Sequence, residues 1–415
     1  MLDPQQFLRD LFDAAVEIAQ PEIAMRRWLP ERPDGKIIVI GAGKAAAAMA
    51  KTLESMWGKP LSGAVIAPYG YGVDCQQIEV IEAAHPVPDA AGVAAAQKLV
   101  GLVSDLVADD TVVCLISGGG SSLLCAPAEG ITLQQKQHIG SALLASGASI
   151  HEINCVRKKL SRIKGGKLAL AAAPAKVLTL VISDVPGNDA ATVASGPTMT
   201  DHGSAEEALA ILERYGIAID SAVRSTILRH RFQPVASEDV RILVTSDDAI
   251  LAGSALAVER GVTPYSLGDL SGDARDLAVE HAQLVRDIIA GTGPVRAPCV
   301  LLSGGETTMK ITGNGRGGRN GEYGLALAIE LDGLPNVDAI ACDTDGLDGT
   351  GSNAGCRVSP DTLRRARAAS IDPLEAQSNN DSFGFFEALG DLVVTGPTYT
   401  NVNDFRAVLI NAKEI

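Results

Sequence analysis

The sequence predicts an α/β protein of two domains, each a mainly parallel sheet, Rossmann-like or mixed, flanked by helices. Three observations carry this. The chain has 415 residues, more than one hydrophobic core comfortably organises. Short β-branched runs alternate with longer runs of helical period, the pattern of strands joined by crossover helices. Glycine, 43 residues in all, gathers at the ends of the apolar runs, where the strand-to-helix turns of such sheets lie and where ligands bind.

Taken in order, the N-terminal stretch MLDPQQFLRDLFDAAVEIAQ carries acids where a signal peptide would carry bases, and its spacing predicts an amphipathic helix. Strands are predicted at Lys36–Ile40, with a helix from about Lys44, and at Thr111–Ile116, which runs into glycines. A further strand at Val177–Ile182 ends in an acidic turn. The polar stretch Gln233–Asp239 suggests a domain boundary, dividing residues 1–236 from 237–415. Beyond it, strands are predicted at Ile242–Val244, Val262–Leu267, Val300–Leu302 and Ala339–Cys342.

Composition narrows the function. A formal net charge of −15 leaves no basic face for a nucleic-acid backbone, so any anion site must be assembled locally. No apolar run approaches the ~18 residues of a membrane span. Seven cysteines are scattered without a C-x-x-C pair, and several fall in apolar runs, which predicts buried free thiols in a reducing, cytoplasmic compartment. Six histidines without a His/Cys cluster argue against zinc.

Three glycine-rich turns are candidate phosphate cradles. Gly41-Ala42-Gly43-Lys44 follows a strand and opens an alanine-rich helix, so backbone N–H groups, the helix dipole and a lysine converge there. It has the G-x-G-x-x-A form of a dinucleotide turn. The acid expected ~20 residues later to hold a ribose hydroxyl is missing, because that region reads LSGAVIAPYG. The second turn is Ser117-Gly118-Gly119-Gly120-Ser121-Ser122, neither a Walker A loop nor a G-x-S-x-G elbow. The third, Ser303-Gly304-Gly305-Glu306, is followed by a stretch with Arg316 and Arg319 among five glycines; a guanidinium there can fork onto phosphate or carboxylate. CLISGGGSSLL (114–124) and VLLSGGETTMK (300–310) resemble each other, as do ASGPTMT (194–200) and VTGPTYT (394–400); two uses of one anion-binding turn explain this better than duplication.

Acidic turns supply metal candidates. Asp184 and Asp189 close one predicted strand, and Asp343, Asp345 and Asp348 another. Strand-end aspartates suit Mg²⁺, which borrows substrate phosphates for the rest of its shell; Asx turns are the plainer reading. The second run loosely resembles a calcium loop but has Ala354 where its glutamate belongs. The run NCVRKKLSRIKGGK (154–167) holds six basic residues, either a solvated face or a device that steers anions.

With these strings in place the chain resembles the class II glycerate kinase family, an N-terminal glycerate-kinase domain followed by a MOFRL domain. The resemblance runs nearly end to end, through GAGKAAAAMA (41–50), AAHPVPDAAG (83–92), LISGGGSSLL (115–124), NCVRKKLSRIKGGKLA (154–169), ISDVPGNDAATVASGPT (182–198), LSGGETT (302–308), GRGGRNGE (315–322), DTDGLDGTGSNAG (343–355) and TGPTYTNVND (395–404). It implies ATP-dependent phosphorylation of D-glycerate at O2 in an interdomain cleft, with Lys44 and Arg319 as the catalytic cations. On this footing Gly41, Gly43, Ser117, Gly118, Gly119, Gly120, Ser121, Ser303, Gly304, Gly305 and Glu306 are the nucleotide-binding candidates. Asp184, Asp189 and Asp343 are the candidates for Mg²⁺, and Asp189 also for the proton acceptor. A homodimer is allowed but not required. The rival is an NAD(P)H-dependent hydroxypyruvate reductase, a label given to members of this family, against which the absent ribose-binding acid counts; a non-catalytic sensor would leave the cationic loops and acidic turns unexplained.

Overall fold

The computed structural model describes residues 3–58, 60–185, 187 and 189–412; Pro186 and Asn188 of the first acidic turn lie outside the described residues. The chain separates into two compact units, residues 24–243 and residues 1–23 with 244–415.

The first unit is built on a six-stranded sheet of β1 (Ile37–Ala42), β2 (Ser62–Pro68), β3 (Ile78–Ala83), β4 (Thr111–Ile116), β5 (Lys176–Ile182) and β6 (Asp239–Val244). The order across the sheet is β3-β2-β1-β4-β5-β6, and the pairs from β3 through β5 are parallel. β1 (IIVIGA) and β4 (TVVCLI) are buried at every residue, as strands covered on both faces must be. The order reverses between β1 and β4. Both loops leaving the carboxyl ends of these strands therefore sit at a topological switch point, where an open α/β sheet leaves a crevice.

Beside this sheet, four helices (Leu133–Ala145, Ile150–Lys159, Ala205–Arg214 and Ser221–Leu228) pack around Leu143, Val156, Leu160, Leu212 and Ile227. Here the basic run departs from a solvated face. Lys159 is buried, and its Nζ lies 2.6 Å from Asp201 Oδ2. Lys164 is buried too, and Lys167 Nζ donates to the carbonyls of Lys158 and Ser161 at 2.7 and 2.6 Å. Deleting one member of a buried pair strands the other charge. Lys159→Ala is therefore expected to cost about 3–5 kcal/mol of stability, read as a lower urea midpoint at unchanged slope. A loss under about 1 kcal/mol would mean that water already compensates Asp201.

The second unit takes the mixed form. β7 (Thr263–Asp269), β9 (Cys299–Gly304), β11 (Val337–Asp343), β12 (Gly355–Val358), β13 (Leu392–Val393) and β14 (Asp404–Ile410) form a sheet ordered β13-β12-β11-β14-β9-β7, and β8 (Gly272–Asp273) pairs with β10 (Thr307–Thr308). Only β7–β9 is a parallel pair in the large sheet; the other four are antiparallel. The inserted strand is β14 (DFRAVLI), buried throughout although it carries Arg406.

The N-terminal helix Pro4–Ile18 belongs to this unit rather than to the one that follows it in sequence. Asp3 caps it by accepting from the amides of Gln5 and Gln6. Its stripe of Phe7, Leu8, Leu11, Phe12 and Ala15 is buried against β11, β14 and the helix Ser246–Glu259. Each large side chain in such a stripe is worth about 1.5–3 kcal/mol of burial, enough to draw the terminus across the expected boundary. Six of the seven cysteines are buried thiols, and Cys75 is half-buried.

Candidate active site

In the first unit the loops after β1 and β4 are stitched together. Lys44 N–H donates to Gly118 O at 2.9 Å, Ala45 N–H to Ser117 Oγ at 2.9 Å, Gly43 N–H to Ile66 O at 3.1 Å and Ala46 N–H to Gly43 O at 3.2 Å. Gly43 is required for this approach. Its φ is +140°, and a Cβ there would stand 2.1 Å from Ser117 Oγ. The amides that the sequence suggests as an anion cradle in Gly41–Lys44 are thus spent on holding the loops together. What this turn has to offer a ligand is the side chain of Lys44.

The β4 loop keeps its donors. Among the described residues, the amides of Gly118, Gly119 and Ser121 meet no backbone acceptor, while Gly120 N–H bonds Ser117 O at 3.2 Å. Gly119 adopts φ +80°, and a side chain there would meet the His85 ring at 2.9 Å and Lys44 Cγ at 3.5 Å. His85, read in the sequence only as part of a family string, therefore stands at the cradle. Its imidazolium is pushed down to about 4, first by burial of the ring and then by the ammonium of Lys44, so it faces the loop as a neutral group.

A relay runs from this loop to the first acidic turn. Lys164 Nζ donates to Ser121 O (2.7 Å), Ser121 Oγ (3.1 Å) and Ala194 O (3.2 Å). Ser121 Oγ lies 3.0 Å from Ser195 Oγ, which donates to Asn154 Oδ1 at 2.7 Å; Asn154 Nδ2 donates to Thr192 O at 3.2 Å. Thr192 Oγ1 and Ala191 N–H then donate to Asp189 at 2.8 and 3.0 Å. Ala194 and Ser195 carry φ values of +51° and +61°, strain that side chains tolerate only where packing over-determines it. Asp189 is exposed and closes its turn as an Asx acceptor; Asp184 is partly buried on the same turn.

In the second unit Arg319 opens the helix Arg319–Leu331 and lies in a cage of acids. Its Nε donates to Asp404 at 2.9 and 3.0 Å, Nη1 to Glu306 Oε1 at 3.0 Å and Nη2 to Asp343 Oδ2 at 2.8 Å. Burial alone would disfavour the charge, but Asp404, Asp343 and Glu306 hold the guanidinium charged, well above its usual range. Three of five N–H groups are used and two remain. Arg316 is not in the cage: it lies 4.4 Å over the Phe383 ring and 3.3 Å from Glu387 at the surface.

The Ser303–Glu306 turn is part of the same construction. Gly304 O accepts from Arg406 Nη1 at 2.9 Å, and Gly305 takes φ +85° with Leu270 where its Cβ would be. Asp348 accepts the amides of Asn320 and Gly321 at 3.0 and 2.8 Å, capping the Arg319 helix. Burial pushes its carboxyl up to about 7, with Asp404 adding to the rise and the two amides opposing it.

Of the predicted residues, Gly41, Gly43, Lys44, Ser117–Ser121, Asp184 and Asp189 lie in the first unit, the last two at the end of β5; Ser303–Glu306, Arg319 and Asp343 meet in the second. Asp404, Arg406, His85, Lys164 and Asn154 were absent from the individual candidates. Among the described residues no cluster of three His, Cys, Asp or Glu side chains forms a ready metal cage. The candidate carboxylates are hard oxygen donors, Asp184 and Asp189 on the first acidic turn and Asp343, Glu306 and Asp404 around Arg319. That suits a Mg²⁺ ion whose remaining ligands are phosphate oxygens and water.

Comparison with known proteins agrees along the chain. The family described as "Domain of unknown function (DUF4147)" matches residues 7–228, and the MOFRL family matches residues 299–404. The chain is 37% identical to the D-glycerate 2-kinase of Thermotoga maritima over 99% of its own length and 100% of that protein. The crystal structure of a glycerate kinase from the same organism superposes with a TM-score of 0.88, covering 98% of this chain and 99% of that one. A protein of Agrobacterium vitis carrying the provisional name hydroxypyruvate reductase is 49% identical over 98% of this chain and 94% of its own.

Proposed function

This chain belongs to the glycerate kinase family that joins a DUF4147 domain to a MOFRL domain, and from that premise we infer how it phosphorylates D-glycerate with ATP to give 2-phosphoglycerate and ADP. The reading is supported above all by one observation: Lys44 and the donor-bearing Gly118–Ser121 loop adjoin each other at the switch point between β1 and β4. Phosphoryl transfer asks for positioning and charge neutralisation rather than covalent chemistry, and a lysine beside unspent amides supplies both.

In this assignment the amides of Gly118, Gly119 and Ser121 take nucleotide phosphate oxygens. Lys44 neutralises charge on the transferring phosphoryl group. Arg319 presents its two remaining N–H groups to the glycerate carboxylate or the phosphoryl oxygens. The 2-hydroxyl oxygen of glycerate attacks the γ-phosphorus, the bond to the β,γ-bridging oxygen breaks, and ADP carries away the electron pair. The hydroxyl proton passes to Asp189, whose carboxylate keeps lone pairs beyond those engaged by Ala191 and Thr192.

Around Arg319, three carboxylates face two guanidiniums, those of Arg319 and Arg406, so the surroundings are acid-rich for an anionic substrate. A Mg²⁺ ion carried by the phosphates would supply the missing positive charge; Asp184 and Asp189 in the first unit, and Asp343 and Glu306 in the second, are the carboxylates that could hold one. We place the protein in the cytoplasm, on its buried free thiols; among the described residues no helix is long and apolar enough to cross a membrane.

The reductase name borne by the Agrobacterium relative is the other reading. A dinucleotide fold of this strand order would carry a ribose-binding acid at the end of β2, and here that end is Pro68-Tyr69. The acids beside it are engaged by the protein: Glu82 accepts from the amides of Gly70 and Gly72 at 2.8 and 3.1 Å, and Asp89 accepts from the Tyr69 hydroxyl at 2.8 Å. The deciding assay couples ADP release to ATP, Mg²⁺ and D-glycerate, and passes the product to enolase without a mutase. Glycerate-dependent ADP release with immediate enolase turnover is expected. Hydroxypyruvate-dependent oxidation of NAD(P)H with no ADP release would hand the site to the reductase.

A further inference from the structure

Lys164 takes no part in the transfer itself, yet its side chain ends directly behind the β4 loop. It is 1% exposed, and its Nζ meets Ser121 O, Ser121 Oγ and Ala194 O at 2.7, 3.1 and 3.2 Å. Three acceptors occupy every N–H of an ammonium, so none is left to reach a ligand. What Lys164 fixes is Ser121, whose own amide meets no backbone acceptor among the described residues. The other end of the bridge is the strained pair Ala194 and Ser195, both at positive φ. The backbone after Lys164 holds the same segment: Gly165 N–H and Gly166 N–H donate to Ser195 O and Gly196 O at 3.1 and 2.9 Å.

The charge that comes with this bridge is not matched by the protein. In the same basic run Lys159 has Asp201 at 2.6 Å. Among the described residues no carboxylate lies within 4.0 Å of Lys164. The charged groups bearing on it are Lys136, Arg157 and Lys158, together with the titratable thiol of Cys125. Burial holds the ammonium well below its ordinary range, and Lys136 and then Arg157 push it the same way. The fold needs only donors here. An uncharged amine would serve the two carbonyls and accept from the Ser121 hydroxyl. A buried positive charge surplus to packing is costly until an anion comes within reach in the same low-dielectric surroundings. The phosphate chain on Gly118–Ser121 is such an anion.

We propose that Lys164 is a positioning residue for the nucleotide: from behind the loop it fixes Ser121 with its amide free, and it sets there a positive charge that the phosphates neutralise. This rests on the reading that the β4 loop takes the phosphates. Lys164→Met tests it, because methionine keeps a long unbranched side chain and the backbone bonds of Gly165 and Gly166 while removing donors and charge. Lys159→Ala is the structural control. It also removes a buried lysine of this run, but Lys159 Nζ bonds Asp201 and Gly203 O rather than the loop.

ADP binding is measured by calorimetry, with steady-state kinetics, on the full chain. Lys164→Met is expected to bind ADP about tenfold or more weakly and to raise KM for ATP in step, with KM for D-glycerate within about twofold. Lys159→Ala is expected to melt lower yet keep both nucleotide constants within about twofold. Nucleotide constants within about twofold of the parent in Lys164→Met would overturn the proposal, and so would equal losses in the two variants. Should Lys164→Met fail to fold, proton uptake carries the test. At about pH 8 the phosphates of ADP are already ionised, so bound phosphates that favour the ammonium draw a proton from the buffer, read as a buffer-dependent binding enthalpy. Lys136, pushed down to about 8 first by burial, titrates in the same range, so the uptake must persist in Lys136→Met; its absence there overturns the proposal. An active kinase whose ADP affinity ignores Lys164→Met sinks this proposal alone. A parent that binds ADP in a Lys164-dependent way but releases none from ATP and glycerate keeps it and sinks the kinase reading.

Discussion

Lys44→Ala is expected to lower the turnover of D-glycerate by roughly 10²–10⁴-fold. The chain should still fold, read as a cooperative melting transition. The two halves of this result have separate causes. The fold uses the backbone of Lys44, whose N–H holds Gly118 O, and alanine keeps that bond. The ammonium serves the developing charge on the phosphoryl group, and a charge needed only in the transition state lowers kcat and kcat/KM together. His85 gives a second, non-kinetic readout. Removing the neighbouring ammonium takes away one of the two influences that depress its imidazolium, so its titration should move up from about 4, while burial, the larger influence, keeps it below the ordinary histidine value. Turnover within about tenfold of the parent in a folded Lys44→Ala chain would remove Lys44 from the chemistry.

The sequence reveals such features unevenly. Runs such as IIVIGA, TVVCLI and CVLLSG announce strands because every residue is apolar or small, and the glycines that follow announce turns. Their order does not follow from that. The switch between β1 and β4 depends on which strands pair, and pairing leaves no trace in the composition of either strand. β14 escapes notice because Arg406 interrupts an otherwise apolar run; the strand is buried all the same, since Asp404, Thr307 and Gly304 O accept from the two Nη groups, and only Nε is left without an acceptor among the described residues. The basic run 154–167 is plain as composition, but Lys159 and Lys164 turn inward because Asp201, Ser121 and Ala194 O offer them acceptors 30 to 43 positions away. Hydrogen-bond donors on glycine-rich turns have the same ambiguity. A sequence shows the amides of Gly43 and Lys44 but not that Ile66 and Gly118 consume them.

Arg319→Ala should be the most damaging single change, with turnover reduced roughly 10³-fold or more and stability reduced as well. Asp404 and Asp343 are nearly inaccessible to solvent, at 0% and 5% side-chain exposure, so removing their shared guanidinium leaves buried carboxylates short of a counter-charge. Arg406 still pairs with Asp404, which limits the stability loss to about 3 kcal/mol, the low end for a broken buried pair. Arg319→Lys separates charge from geometry. An ammonium restores one positive charge but cannot bond Asp404, Glu306 and Asp343 at once and still offer two outward donors, as the planar five-donor fork does. Arg319→Lys is therefore expected to recover most of the melting temperature and little of the turnover. Recovery of both together would mean that Arg319 acts only as a counter-ion for Asp343 and Asp404, and the chemistry would have to be carried by Lys44 and the β4 loop without it.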